Sequence, residues 1–78
     1  MSWIDIKDKM PAINEKSSKS ELLLLIDSYG DIFVGFCRKV ETFDEDEPYE
    51  IAFEIKGRYG NTYDFEGKVT HWAKLTPP

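Results

Sequence analysis

Histidine and cysteine, the residue types that most often transfer protons or attack substrates, each occur once in this chain. His71 lies between Thr70 and Trp72, where an imidazole can act as a general base or ligand if a nucleophile or an acid reaches it. The available partners, Asp5, Asp64 and Thr70, have no spacing that defines a catalytic set. The alternative is a structural histidine that bonds to the backbone or to an N-terminal carboxylate. We predict that structural role and no catalytic residue.

Cys37 is followed by Arg38 and Lys39, two cations that would make a neighbouring thiol reactive. Successive side chains of a strand point to opposite faces, so these charges give little help, and we predict an inert, buried thiol. One cysteine and one histidine are too few to build a tetrahedral zinc site, and no phosphate-binding glycine loop is present. We therefore expect no metal and no cofactor. A single cysteine is also typical of a reducing cytoplasm.

The excess negative charge is concentrated in one short segment. The formal net charge is -5, yet residues 41–50 hold six acids and no base, while the rest of the chain holds nine acids and ten bases. Such a segment repels phosphates, which argues against direct nucleic-acid binding. It is open to three interpretations: a solvated connection between strands, a patch that attracts a basic protein partner, or a weak cation site without the spacing of a calcium loop. The six acids are Glu41, Asp44, Glu45, Asp46, Glu47 and Glu50.

The elements that would position these groups are short strands. Residues 49–56 alternate cleanly between apolar and polar side chains, and residues 32–40 alternate on one face. The apolar run 22–26 and the turn-forming residues after it predict a hairpin with 32–40. Two further short strands are predicted around residues 63–65 and 68–73. The pattern predicts an all-β fold: a single antiparallel sheet of about five strands, curled or barrel-like, with a short N-terminal segment packed on it.

Three residues are predicted to hold this small fold together, besides His71. Trp3 and Trp72 each lie in an end segment with little else to anchor it, so we expect both in the same core. Gly35 lacks a side chain in mid-strand, which would let a bulky residue such as a tryptophan lie across it, or would mark a bulge. Alternation places His71 opposite Trp72 and on the same face as Val69.

The length of the chain allows one domain, residues 1–78, with a thin core. Residues 14–20, which contain no apolar side chain, and residues 41–48 are expected to be surface loops. The longest apolar run has five residues, too short for a membrane span or a signal peptide, so we expect a cytoplasmic protein without membrane contact. A domain this small often covers an edge or an apolar patch by dimerising, so both monomer and homodimer stay open.

Both ends of the chain and the first hairpin carry a recognisable set of residues: Trp3-Ile4, Pro11, Tyr29-Gly30-Asp31, Val34-Gly35, Val69-Thr70-His71-Trp72, Leu75 and Pro77. This pattern resembles a family of short bacteriophage and prophage proteins of unknown function. The chain departs from that family at Ala73-Lys74, where members often have Met-Pro. The resemblance implies a phage or prophage setting, a bacterial host cytoplasm and a small β-rich fold, and it transfers no catalytic residue.

These observations favour an interaction protein over an enzyme. The first hypothesis is a phage accessory protein whose acidic patch binds a host or phage protein with a basic surface and thereby inhibits a host factor. The alternative is a small-molecule or nucleotide binding module, in which aromatic residues and His71 line a pocket between the sheet and the N-terminal segment. A small hydrolase is a third class, and no residue arrangement in the sequence favours it.

Overall fold

A computed structural model describes residues 2–75, which fold into six β-strands with no helix. The strands form one antiparallel sheet in the order β1-β6-β2-β3-β4-β5. The all-β prediction is confirmed, and the sheet stays open, with β1 and β5 as its edges, rather than closing into a barrel. No helix in residues 2–75 has the length and apolar character to cross a membrane. The strands are β1 Ile4–Asp5, β2 Leu23–Asp27, β3 Ile32–Glu41, β4 Tyr49–Lys56, β5 Thr62–Asp64 and β6 Val69–Lys74.

The β2–β3 hairpin is closed by Asp27, the last residue of β2. Its Oδ1 accepts hydrogen bonds from the backbone N–H groups of Tyr29 at 3.0 Å and Asp31 at 2.9 Å. Gly30 has a φ of +84°, which L side chains rarely adopt. Asp27 is buried, with 7% of its surface exposed, so its carboxylate replaces water as the partner of the turn.

The N-terminal segment adds the sixth strand. Ile4 pairs with Trp72 and Asp5 pairs with His71, so the two ends of the described chain lie side by side. A turn follows, in which the N–H groups of Asp8 and Lys9 donate to the carbonyl oxygen of Asp5. The chain then crosses one face of the sheet, as the sequence predicts for a short segment packed there.

The two faces of the sheet differ in how they are covered. Residues paired directly across antiparallel strands point to the same face. The core face holds Leu23, Leu25 and Trp72, on which the N-terminal segment and Phe65 pack. We call the opposite side the back face. Its centre, on β6, β2 and β3, consists of Leu24, Ile26, Ile32, Val34, Phe36 and Ala73.

A bulge interrupts the alternation of β6. Ile26 pairs with His71 whereas Asp27 pairs with Val69, which leaves Thr70 as the extra residue. The extra residue returns the Val69 side chain to the core face, where it is 7% exposed and belongs to the same cluster as Trp72. The prediction that Val69 shares a face with His71 is therefore wrong, because strict alternation cannot anticipate a bulge.

Residues 14–20 are a surface segment that is attached to the sheet. Asn14 forms an isolated bridge with Lys19, and Lys19 forms a second one with Arg38 of β3. The N–H of Lys39 donates to the carbonyl oxygen of Ser18 at 2.9 Å. These residues thus continue the line of β2 along the second half of β3, a contact that their polar composition does not predict.

Candidate functional site

The six acids surround the connection between β3 and β4. Glu41 is the last residue of β3, where it pairs with Tyr49, and Glu50 pairs with Val40. The other four lie in the connection itself, residues 42–48, which we call the acidic loop. All six acidic residues are exposed. The structure therefore brings the predicted patch together at one end of a long hairpin.

The acidic loop is organised by short-range hydrogen bonds around Thr42. The N–H of Thr42 donates to the carbonyl oxygen of Pro48 at 3.0 Å, and its hydroxyl donates to the carbonyl oxygen of Glu47. Asp44 receives the N–H of Asp46 on Oδ1 at 2.9 Å. The loop is a series of turns joined at its base, so the carboxylates project from a defined backbone rather than from a free tail.

The charge of the acidic loop is not neutralised within the described part of the chain. Arg38 forms its ion pairs elsewhere, with Glu54 at 2.6 Å and with Asp64 at 3.3 Å. Lys39 places its ammonium 4.7 Å from the centre of the Tyr49 ring. Among residues 2–75, no ion pair within 4.0 Å involves any of the six acids. Their negative potential is consequently directed at solvent or at a partner.

Phe43 projects into solvent from the acidic loop. Its relative exposure is 108%, the highest among the large hydrophobic side chains of the described residues. Phe43 is not among the residues predicted from the sequence to form the site. Its position in a segment without strand alternation, where no core face receives an aromatic side chain, is the signal that indicates it.

His71 is half exposed, and its two ring nitrogens have different neighbours. Nδ1 lies 2.9 Å from Oγ1 of Thr70, and Nε2 lies 3.9 Å from Oδ2 of Asp5. The Thr70 hydroxyl also lies 3.3 Å from the carbonyl oxygen of Ile26. His71 therefore contacts the bulge through Thr70, while the carboxylate of Asp5 lies beyond hydrogen-bond distance. The structural role of His71 stays a prediction.

The two tryptophans occupy different environments. Trp72 is 3% exposed and donates its indole N–H to the carbonyl oxygen of Lys9 at 2.8 Å. Trp3 is 36% exposed and is absent from the core cluster, so the prediction of a shared core is wrong for Trp3. The reason is alternation: Ile4 pairs with Trp72 and turns to the core face, which directs the preceding residue away from it.

Gly35 leaves room for Leu25 and for a neighbouring strand, not for a tryptophan. A Cβ built on Gly35 would lie 2.1 Å from the carbonyl oxygen of Glu54 and 3.0 Å from Cδ1 of Leu25. The register past Gly35 is continuous, so the glycine marks no bulge. Its role is to permit close approach of β4 and of the Leu25 side chain.

Cys37 is fully buried in the described structure. Burial raises the pKa of its thiol above the ordinary value of 9.0, and a weaker opposing effect comes from the hydrogen bond with Ser20. A thiol that is both protonated and inaccessible is a poor nucleophile. This agrees with the inert role that we predicted.

A groove of about 530 Å³ lies between the N-terminal segment and the sheet, where the sequence analysis placed the alternative ligand pocket. Its floor includes Leu23 and Trp72, and its rim includes Lys9, Lys74 and Glu21. Trp72 is its one aromatic residue among those described, and His71 lies on the back face. The predicted lining by several aromatic residues and His71 is therefore wrong, because the aromatic side chains are distributed over both faces and the loops.

Residues 2–75 contain no cluster of three or more His, Cys, Asp or Glu side chains that could hold a metal ion. No family model, no curated protein and no solved structure matches the chain. The resemblance to phage and prophage proteins stays a prediction from the sequence.

Proposed function

We propose that this chain is a non-enzymatic protein-binding domain that docks on a basic surface of another protein through the acidic loop. Glu41 and Glu50 on the flanking strands extend the contact. The sheet serves as the support, because β3 and β4 hold both ends of the loop through seven paired positions. Electrostatic attraction of this kind speeds encounter and selects the partner.

The full exposure of Phe43 is the observation that carries the proposal. An exposed aromatic residue costs solubility in isolation, and it is the residue class that fills pockets at the centre of protein interfaces. Here four acids follow it within the same loop. Charge would guide a basic partner to the loop, and the ring would supply the buried anchor that holds it.

The proposed setting follows the sequence resemblance. In a phage or prophage, the partner would be a host or phage protein, and docking on its basic surface would block that surface. Inhibition of a host factor is the specific form of the proposal. A basic groove that normally receives phosphates is a fitting target, because carboxylates at a similar density compete for the same cations.

The test compares two charge variants, matched in net charge, and one aromatic variant. The loop variant changes Asp44, Glu45, Asp46 and Glu47 to Asn or Gln, which removes four negative charges. The matched control removes four negative charges from exposed positions elsewhere, through D8N, E15Q, E21Q and E66Q. The third variant is Phe43→Ala. Each protein is used to capture partners from host lysate, and the partner found with the wild-type chain is then purified.

Association and dissociation rates with that partner are measured at low and moderate salt. We expect the loop variant to associate about ten-fold more slowly at low salt and to lose most of its salt dependence. The control should behave like the wild type. Phe43→Ala should weaken binding by about 30-fold, mainly through faster dissociation. Equal loss in the control and loop variants would refute a role for this particular segment.

A second candidate function, small-molecule binding, is favoured by the groove alone. Its apolar floor and its lysines would suit a small anion with an apolar part. A thermal-shift screen of nucleotides and carboxylates tests this function. A ligand of the groove should raise the melting temperature of the wild type and of the loop variant equally, and should lose its effect in Lys74→Glu.

A further inference from the structure

The outer edge of β4 beside the acidic loop is an open edge of the sheet. The N–H of Thr42 donates to the carbonyl oxygen of Pro48, so the hydrogen-bonded positions between β3 and β4 are the even-numbered residues of both strands. The N–H and C=O groups of the odd-numbered residues of β4 therefore point away from β3. The bond from the N–H of Phe65 to the carbonyl oxygen of Phe53, at 2.8 Å, has this outward direction.

Strand β5 covers only part of this outer edge. It pairs with residues 54–56 of β4. Within the described part of the chain, no strand or bridge pairs with the outer side of residues 49–53 beyond the single bond at Phe53. The N–H and C=O groups of Tyr49 and Ile51, and the N–H of Phe53, consequently have no backbone partner there. Such a row of unpaired groups is a template for another strand.

The other side of the same hairpin shows how this chain completes a partly covered edge. On β3, the N–H of Lys39 donates to the carbonyl oxygen of Ser18, and the carbonyl oxygen of Cys37 accepts from the N–H of Ser20. A surface segment thus extends the line of β2 along β3. No segment of residues 2–75 extends the line of β5 along β4 in the same way.

The charge at this edge selects a basic occupant. Glu50 is the one charged residue between Tyr49 and Phe53, and the acidic loop adjoins the same end of β4. Among residues 2–75, neither Glu50 nor the acids of the loop form an ion pair. A second copy of the chain would bring its own net charge of -5 to this edge. Like charges across paired strands are destabilising, so an extended segment with lysine or arginine fits better than a second β4.

We propose that an extended, basic segment of the partner protein adds to the outer edge of β4 as a further strand beside residues 49–53. This inference rests on the proposed function, because the acidic loop brings the same basic partner to the sheet, and it adds the mode of binding. Main-chain hydrogen bonds supply affinity, and basic side chains next to Glu50 and the loop supply selectivity. Five residues of a strand span about 17 Å, which is the length of segment that this edge accepts.

The test uses a synthetic peptide of about nine residues, in which lysine alternates with threonine, because threonine favours extended structure. The comparison peptide has the same side chains and charges but is N-methylated at its central residues, which removes the backbone donors of both its edges. Binding to the full wild-type chain is followed by NMR titration of the backbone amides. We expect the first peptide to slow hydrogen exchange at the N–H groups of Ile51 and Phe53. N-methylation should weaken binding by about ten-fold or more.

Two proline variants locate the added strand. Ile51→Pro removes one outward N–H and leaves the hydrogen bonds between β4 and β3 in place, at an edge position of the kind where strands accept proline. Thr62→Pro, the matched control, removes an outward N–H from the neighbouring strand β5. Circular dichroism establishes that each variant is folded. Ile51→Pro should weaken binding of the first peptide by about ten-fold, and Thr62→Pro should leave it unchanged.

Equal binding of the two peptides to the wild type overturns the proposal, and this comparison holds whether or not Ile51→Pro folds. Failure of the first peptide to bind also overturns it, as does a loss of binding in Thr62→Pro alone, which would place the added strand on β5. Slow exchange at Ile51 in the wild type alone, lost on dilution, would assign the edge to a second copy and overturn it as well.

The loop variant separates this inference from the proposed function. If both peptides bind the wild type equally and the loop variant weakly, the acidic loop attracts bases without strand addition, and only the inference fails. If the first peptide binds the wild type and the loop variant equally, and N-methylation weakens both, strand addition is supported and the role of the acidic loop fails.

Discussion

Trp72 and Trp3 offer a matched pair of substitutions that tests how the core is built. Both are tryptophans near an end of the sheet, and they differ in burial: Trp72 is 3% exposed and Trp3 is 36% exposed. Replacing each with alanine removes the same atoms from two environments. The difference in unfolding free energy therefore measures what the core face contributes at Trp72.

The expected loss of unfolding free energy in Trp72→Ala has two contributions. Removing a buried tryptophan side chain costs about 3–5 kcal/mol, through lost burial and the cavity that remains. Part of that loss comes from the hydrogen bond that the indole donates to the carbonyl oxygen of Lys9. Trp72→Phe removes this bond alone and should cost about 1–3 kcal/mol. A domain of this length has only about 4–12 kcal/mol of total stability. Trp72→Ala should consequently remove at least about a quarter of that stability, and nearly all of it if the total lies at the low end of the range.

The assay is thermal and urea unfolding, followed by circular dichroism. Trp72→Ala should lower the melting temperature by about 15 °C or more, since 1 kcal/mol corresponds to about 4–8 °C in a domain of this size. Trp3→Ala should stay within about 1 kcal/mol of the wild type. Equal losses in the two variants, or a Trp72→Ala protein that melts within a few degrees of the wild type, would refute the placement of the core on this face.

Three further substitutions test other contacts. Asp27→Ala should cost about 1–3 kcal/mol in a urea titration, because two turn N–H groups lose their acceptor; Asp27→Asn, which keeps an oxygen, should recover part of this. Gly35→Ala should lower the free energy of unfolding by several times the ~1 kcal/mol of an ordinary substitution, or prevent folding, because its Cβ would lie 2.1 Å from a backbone oxygen. Ala52→Gly, the reverse exchange in strand β4, serves as the control. For Cys37, the raised pKa means that the unfolded thiol ionises first, so its contribution to stability is complete below about pH 9 and declines above it. Urea titrations from pH 7 to pH 10.5 should show the wild type losing stability relative to Cys37→Ala only above that pH, and parallel curves would contradict the assignment.

Most of the strands could be predicted from period-two alternation of apolar and polar residues. Strand β4 spans residues 49–56 as the pattern indicates, because every second residue from Tyr49 to Ile55 is apolar. The β2–β3 hairpin was also predictable, since Asp27 and Gly30 are turn-forming residues between two apolar runs. Both results depend on local sequence, where neighbouring residues determine the outcome.

Long-range pairing was not predictable in the same way. The bulge at Thr70 depends on the register between β2 and β6, which are more than 40 residues apart. The pairing of β1 with β6 likewise joins the two ends of the described chain, which local sequence does not specify. In the candidate site, the exposure of the acids could be predicted from their charge. The exposure of Phe43 could not be predicted without knowing that no core face lies within reach of the loop.

The pairing of β1 with β6 also gives a structural reason for the sequence pattern at the two ends. Ile4 faces Trp72, and Asp5 faces His71, so two motifs at opposite ends of the sequence form one unit of the sheet. Trp72 is buried there in the core cluster, and Thr70 is the extra residue of the bulge. Side chains that folding does not explain are the first place to look for function, and in this chain the clearest of them are Phe43, which is fully exposed, and the acids of its loop.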